Sequence, residues 1–244
     1  MKRFVLLFLL CAAFISTQAL AAVIVTENWE SGAGSWVDGA AGAAIVNDSV
    51  TNLLDAGNHA IKVPGSEASG EIGTKLLTLA ATTDPNWVIT YDFYSTGTRD
   101  YLQIIGNNSG GSLAQLIALG HYNAGVDYTK YNYRVAFGSV GWKDTTLTRS
   151  TNKWHAMKIE QIYNPGDATA TVNFYIDNSF LATAATSAIN GVSVLKAGSG
   201  LTNGGGPAYF DNIVLTSGAI PEPGSMLALG AGMIGLLGVI RRRK

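Results

Sequence analysis

Charge is scarce in this chain. Asp, Glu, Lys and Arg make up 14% of its 244 residues, where about a quarter is usual. The basic residues gather at the ends, Lys2 and Arg3 at one and Arg241, Arg242, Arg243 and Lys244 at the other. Residues 22–220 keep ten Lys and Arg against sixteen Asp and Glu, a net charge of −6. A nucleic-acid binder needs the reverse, a basic face, and that class is excluded. Cysteine is nearly missing: Cys11 is the only one, and it lies in an apolar run near the N-terminus. No repeat of 20–50 residues is present. The three histidines, His59, His121 and His155, stand without a Gly-x-Ser-x-Gly elbow or a His-Glu-x-x-His pair, so they read as solvated or satisfied strand and loop residues. Glycine is what the chain has in excess. Its 29 glycines suit turn-dense β structure and suit helical bundles poorly.

Residues 1–21 read as a secretory signal. Lys2 and Arg3 form the positive start, Phe4 to Ile15 the apolar core, and Ala19-Leu20-Ala21 the small-x-small site, which places cleavage after Ala21. A membrane anchor needs about 20 apolar residues, and Ser16, Thr17 and Gln18 interrupt this run well short of that. Leu10 stands before Cys11, where a lipoprotein signal has a small residue. With Cys11 removed, the remaining chain has no disulfide, no Cys-based metal site and no thiol nucleophile. A domain of residues 22–217 is long enough to bury a sufficient core without them.

At the other end, Pro221-Glu222-Pro223 precedes an uncharged, mostly apolar stretch over 224–240 and then the basic cluster 241–244. A helix over 224–240 is about 26 Å long, enough for a thin bilayer, and the basic cluster holds its end on the cytoplasmic side. Gly230, Gly232, Gly235 and Gly238 lower its hydrophobicity and allow close helix approach, which fits a segment presented to a membrane enzyme and then removed. A simple tail anchor is the rival reading. This three-part tail over 220–244 resembles the PEP-CTERM sorting signal of Gram-negative bacteria that make exopolysaccharide. The resemblance implies an exosortase as partner, anchorage in the inner membrane before processing, cleavage near Pro221-Glu222-Pro223, and then a place at the cell surface or outside the cell. Pro221 and Pro223 keep that site extended and non-helical.

Between the two ends, short runs rich in β-branched and aromatic residues recur, separated by glycine and Asn/Asp clusters. Ala43–Val46, Ala60–Val63, Trp87–Tyr94, Leu102–Ile105, Tyr131–Phe137, Trp154–Ile162, Thr169–Ile176 and Phe210–Leu215 are the clearest. Val172, Phe174 and Ile176 alternate with Thr171, Asn173 and Tyr175, the period of two that marks a half-buried strand. Residues 112–119 pass for a short helix, but Gly110, Gly111 and Gly120 bound them at strand length. The expectation is all-β, a single antiparallel β-sandwich or jelly roll over 22–217.

Glu30-Ser31-Gly32 before Trp36, the run Trp154–Ile159, the run Phe174–Ser179 and the run Tyr209–Ile213 resemble concanavalin A-like, laminin-G-type domains. The resemblance implies that Trp154 starts a strand, that Asp177 and Asn178 make a hairpin turn, and that the last strand closes beside the first. Asn178 stands where the pattern has glycine, and Asn tolerates positive φ. The resemblance also implies a structural Ca²⁺ clipping the first and last strands, with Glu30 and Asp211 placed to supply its carboxylates; the rival reading is that Glu30 is a solvated loop acid and Asp211 caps a turn. Glucanases of this fold carry Glu-x-Asp-x-x-Glu on one strand, and no such string exists here. Paired carboxylates for retaining hydrolysis are therefore not indicated.

Sugar binding uses aromatic faces beside amide and carboxylate groups. Trp142, between Gly141 and Lys143 in what reads as a loop, is the best platform, with Tyr122 and Tyr128 near it in sequence. Trp36, Trp87 and Trp154 border strands and read as core. The sequence thus describes an exported, non-enzymatic, lectin-like sandwich associating with exopolysaccharide or biofilm matrix. A matrix polysaccharide hydrolase and a purely structural matrix protein without ligand stay open beside it.

Overall fold

A computed structural model describes residues 21–38, 44–47, 58–63, 75–80, 84–97, 100–107, 113–122, 124–136, 140–187, 189–198 and 207–218. Residues 22–217 form one compact unit. Ala19, Pro221, Glu222, Pro223, Arg241, Arg242, Arg243 and the span 224–240 lie outside the described residues. Ala21 is described, exposed just before the first strand.

The described secondary structure is all strand, in two antiparallel sheets. The first sheet runs β13 (Ser179–Thr186), β12 (Thr169–Ile176), β11 (His155–Asn164), β6 (Trp87–Ser95), β15 (Ala208–Ser217), β4 (His59–Val63), β3 (Ala44–Asn47), with β1 (Ala22–Glu27) also on β15. The second runs β10 (Val140–Thr148), β9 (Lys130–Ala136), β8 (Leu113–Gly120), β7 (Tyr101–Asn107), β14 (Val194–Ala197), β5 (Lys75–Thr78), β2 (Val37–Asp38). The 113–120 segment is a strand.

The alternation read in the sequence is what builds the core. Ala170, Val172, Phe174 and Ile176 of β12 are buried while Thr169, Thr171, Asn173 and Tyr175 are not. Ile89, Tyr91, Phe93, Ile159, Phe174 and Phe210 of the first sheet share one hydrophobic cluster with Leu102, Ile104, Ile117, Leu119, Tyr131 and Leu195 of the second. Truncating one of these aromatic side chains costs about 3–5 kcal/mol. Two polar ties cross the layer: Tyr91 Oη donates to the Leu119 carbonyl at 2.9 Å, and the Gln115 side-chain amide donates to Gln161. Burial raises the pKa of the Tyr91 hydroxyl, so it stays a donor.

The hairpin between β12 and β13 turns on Asp177 (φ 49°) and Asn178 (φ 62°), both left-handed as a type I′ turn requires. The last strand lies beside the first: Ala22 pairs with Ser217 and Glu27 with Ile213. On β15 the register slips between Asp211 and Val214, and Asn212 takes φ 48° there, a bulge that re-aims the Asp211–Asn212 side chains.

One placement differs from the sequence reading. Trp142 is not in a loop; it is the third residue of β10, an edge strand paired only with β9. The run Gly141–Thr146 reads as loop because an edge strand shows its outer positions to water, and Lys143, Asp144 and Thr146 are exposed. Trp36 and Trp87 are core, as expected, and so is Trp29, held at φ 62° with its ring 5.2 Å from that of Trp36. Trp154 belongs instead to a separate cluster with Ala60, Tyr94 and Tyr209.

Candidate functional site

Alternate residues of the second sheet face away from the core. The strand registers set one row of them side by side: Lys196 opposite Gln103, Gln103 opposite Ala118, Ala118 opposite Arg134, and Arg134 opposite Trp142. The row crosses β14, β7, β8, β9 and β10. The next row holds Tyr101, Gly120, Asn132 and Asp144. Small residues in the middle, Ala118 and Gly120, keep this outer face low, with Lys196 and Arg134 on either side of Ala118 and Trp142 beyond Arg134. Gly120 cannot be replaced without moving the backbone, because a Cβ there falls 2.3 Å from the Asp100 carbonyl oxygen.

At the β10 end the rings converge. Tyr122 and Trp142 stack at 4.3 Å with their planes 9° apart, and Tyr101 meets Trp142 edge-on at 4.7 Å. Tyr101 is buried; Tyr122 and Trp142 are half-exposed. Trp142 Nε1 and Arg134 Nε are buried and have no hydrogen-bond partner among the described residues. The loop carrying Tyr122 is pinned by polar bonds: Tyr122 N–H donates to Asn132 Oδ1 at 2.8 Å, and Asn132 Nδ2 and Asp127 N–H both donate to Asp144 Oδ1, at 3.0 and 2.9 Å. Hydrogen bonds from the Thr129 hydroxyl and N–H lower the pKa of Asp127. Burial lowers that of Lys196.

The structure therefore brings Trp142 and Tyr122 together and leaves Tyr128 out. Tyr128 is 59% exposed on the same loop and takes no part in the described stack. Sequence reasoning missed Tyr101, Gln103, Arg134 and Lys196. They lie 8 to 54 positions from Trp142, and only strand register makes them neighbours.

Glu30 and Asp211, the two acids read as calcium ligands, each accept hydrogen bonds from nearby nitrogen donors. Glu30 accepts the His59 N–H and sits 2.8 Å from His59 Nδ1. Asp211, fully buried, accepts Asn58 Nδ2 at 2.9 Å and Asn212 N–H at 2.7 Å. Asn212 Nδ2 donates on to Asp92 at 2.9 Å. Burial first, then the charges of Asp92 and Glu30, push the Asp211 carboxyl up to about 6. The oxygens are of the kind Ca²⁺ takes, and Asn58 and His59 link the two acids as chain neighbours. Those oxygens are, however, served by N–H donors, and among the described residues no group of three or more His, Cys, Asp and Glu is placed to hold a metal ion.

The histidines divide three ways. His59 pairs with Glu30. His155 bridges Ser150 and Asp177. His121 is buried between Phe93 and Tyr131, and burial drives its pKa well down, so it is neutral.

The body is similar to several solved structures. The binding domain of Paraclostridial Mosquitocidal Protein 1 matches with a TM-score of 0.53 and 14% identity over 84% of this chain. The chain spans 51% of that domain's length. The seed lectin of Lotus tetragonolobus matches at 0.51 and 11% identity, covering 83% of this chain and 100% of the lectin. An endo-1,3-beta-glucanase from Streptomyces sioyaensis matches at 0.51 and 14%, covering 83% and 98%. No curated protein matches the sequence. Fold and neighbours together define a concanavalin A-like, lectin-type β-sandwich. Residues 219–244 match the PEP-CTERM protein-sorting motif. The chain thus pairs a lectin-like body with the tail of a secreted protein that is anchored in the membrane and then processed.

Proposed function

We propose that this is an exosortase-processed surface protein whose second sheet binds an extended, acidic glycan of the exopolysaccharide or biofilm matrix with its outer face. The cross-strand row Lys196–Gln103–Ala118–Arg134–Trp142 carries the reading. Among the described residues neither Lys196 nor Arg134 has an ion-pair partner, on a body that is acidic overall. A carboxylated sugar supplies an anion for the two cations, and the half-exposed Tyr122–Trp142 pair offers a flat apolar face to a pyranose ring. The lectin fold of the neighbours supports the class of ligand, and UEA-II, one such neighbour, is a lectin complexed with galactose.

The test is titration of the purified protein with a polyuronate and with a neutral dextran, in calcium and in EDTA, scoring new reducing ends in the same tubes. Saturable binding of the polyuronate alone, without new reducing ends, is expected. Equal binding of both polymers removes the cationic row from the account, and no binding favours a structural matrix protein. New reducing ends favour the hydrolase reading, which the glucanase neighbour supports. Calcium enters as a separate proposal: a structural ion drawing on Glu30 and Asp211 predicts loss of thermal stability in EDTA, and an unchanged melting temperature ends it.

A further inference from the structure

A second set of chemistry-bearing residues lies away from the glycan row. Ser150 follows β10, His155 opens β11, and Asp177 begins the β12–β13 turn. Ser150 Oγ is 2.6 Å from His155 Nε2, and His155 Nδ1 is 2.8 Å from Asp177 Oδ2. The two contacts use opposite ring nitrogens. A carboxylate at Nδ1 requires the proton there, which leaves the Nε2 lone pair to accept the serine hydroxyl.

Each member is fixed by its surroundings. Asp177 Oδ1 accepts the Ala156 N–H at 3.0 Å, and the Asp177 N–H donates back to the Ala156 carbonyl at 2.8 Å. The His155 side chain is 5% exposed and packs edge-on to Tyr131 at 5.4 Å. Tyr131 Oη in turn donates to the Ser150 carbonyl at 3.2 Å. Burial pushes the Asp177 pKa up, but hydrogen bonds from His155 and Ala156 and the His155 and Lys153 charges outweigh it, so the group is lowered and stays ionised.

We infer that Ser150, His155 and Asp177 are the nucleophile, general base and orienting carboxylate of an acyl-transfer site for O-acyl esters. The inference goes beyond glycan binding and does not depend on it. Ser150 Oγ adds to the ester carbonyl carbon as His155 Nε2 takes its proton. The tetrahedral intermediate collapses, the carbonyl–alkoxy bond breaks, and His155 returns the proton to the departing alkoxide. Water then adds to the acyl-serine with His155 again as base, releasing the carboxylic acid and regenerating Ser150. The loop beyond Ser150 is open, with Thr151, Asn152 and Lys153 exposed. It suits a pendant ester group rather than a bond inside a polymer, which needs a cleft around it. An ester is also the less demanding substrate, since its alkoxide leaves with the one proton His155 carries.

A fluorophosphonate probe applied to the full-length protein, followed by peptide mapping, is the first experiment. The probe is expected on Ser150, which a purely structural bond would not produce. Hydrolysis of p-nitrophenyl acetate is expected to fall by about 100-fold or more in Ser150→Ala and in His155→Gln, and Ser150→Ala removes only one loop hydrogen bond. Absence of label on Ser150 of the wild-type protein overturns the inference, and so does a folded Ser150→Ala variant that turns over the ester at the wild-type rate. If Ser150→Ala fails to fold, wild-type labelling decides alone.

Discussion

Each outer face of the sandwich carries a cluster of one tryptophan and two tyrosines, and the two clusters are assembled differently. On the first sheet Trp154, Tyr94 and Tyr209 meet at 5.6–6.5 Å with their planes 49–79° apart. On the second, Trp142 and Tyr122 lie nearly parallel at 4.3 Å. Tilted contacts fill space, whereas a parallel pair presents a flat surface. Position in the sheet decides which forms. Tyr94 and Tyr209 are register partners on β6 and β15, inside the sheet, and both are buried. Trp142 is on the edge strand β10 and Tyr122 on the adjoining loop, so water, or a ligand, reaches them. Similar residues thus become a seal in one place and a platform in the other.

The sharpest way to break this comparison is truncation on both faces. Tyr209→Ala is expected to cost about 3 kcal/mol in urea unfolding and to leave glycan affinity unchanged. Trp142→Ala is expected to weaken polyuronate binding by about tenfold or more and to lower stability by less than about 1 kcal/mol, measured by calorimetric titration and denaturation of the same sample. If both variants lose stability and neither loses affinity, the two clusters are alike and the platform reading fails.

The cations sharpen it further. Arg134→Gln is expected to reduce polyuronate affinity about three- to fivefold at low salt, an effect that shrinks as salt screens it; binding to a neutral oligosaccharide should not change. The smallest effect concerns protons. Each face keeps a buried acid beside its rings, Asp100 before Tyr101 and Asp211 two residues past Tyr209. Burial raises both, Asp100 to about 7 against the opposing Ser95 bond and Arg149 charge, and Asp211 to about 6. A carboxyl raised in the fold holds its proton more tightly there than when unfolded. Its contribution is therefore fully present below about pH 4 and is lost as pH rises through the folded value. Asp211→Asn should gain stability relative to wild type between pH 4 and 7, and Asp100→Asn up to about pH 8, in paired urea titrations. A difference that does not vary with pH removes the buried-acid account.

Much of the body could be read from the chain. β12 matched residue for residue because its alternation is unbroken, and the Asp177–Asn178 turn because few residue pairs accept two positive φ values. The strands that escaped, β1, β2, β5, β10, β13 and β14, lie at edges or are short. In them, hydrophobic alternation is diluted by polar outer positions, as in the run Gly141–Thr148, or by small residues, as in Ala182, Ala184 and Ala185 of β13. The site was only half readable. A tryptophan between Gly141 and Lys143 attracts notice, but Arg134 joins it through one strand register and Lys196 only through four in succession. Ser150 and His155 are five residues apart, a spacing with no signature until a β-turn 22 residues further on brings Asp177 to the ring.

β15 has β6 on one flank and β4 and β1 on the other, and it ends at Ser217, where the tail begins. Its rungs run perpendicular to the strand. A tug on the body from its C-terminal side is therefore taken up by an interior strand whose rungs resist sliding together, whereas an edge strand would peel away one rung at a time. A body held by that end against the drag of a hydrated matrix would be loaded along its most strongly supported direction.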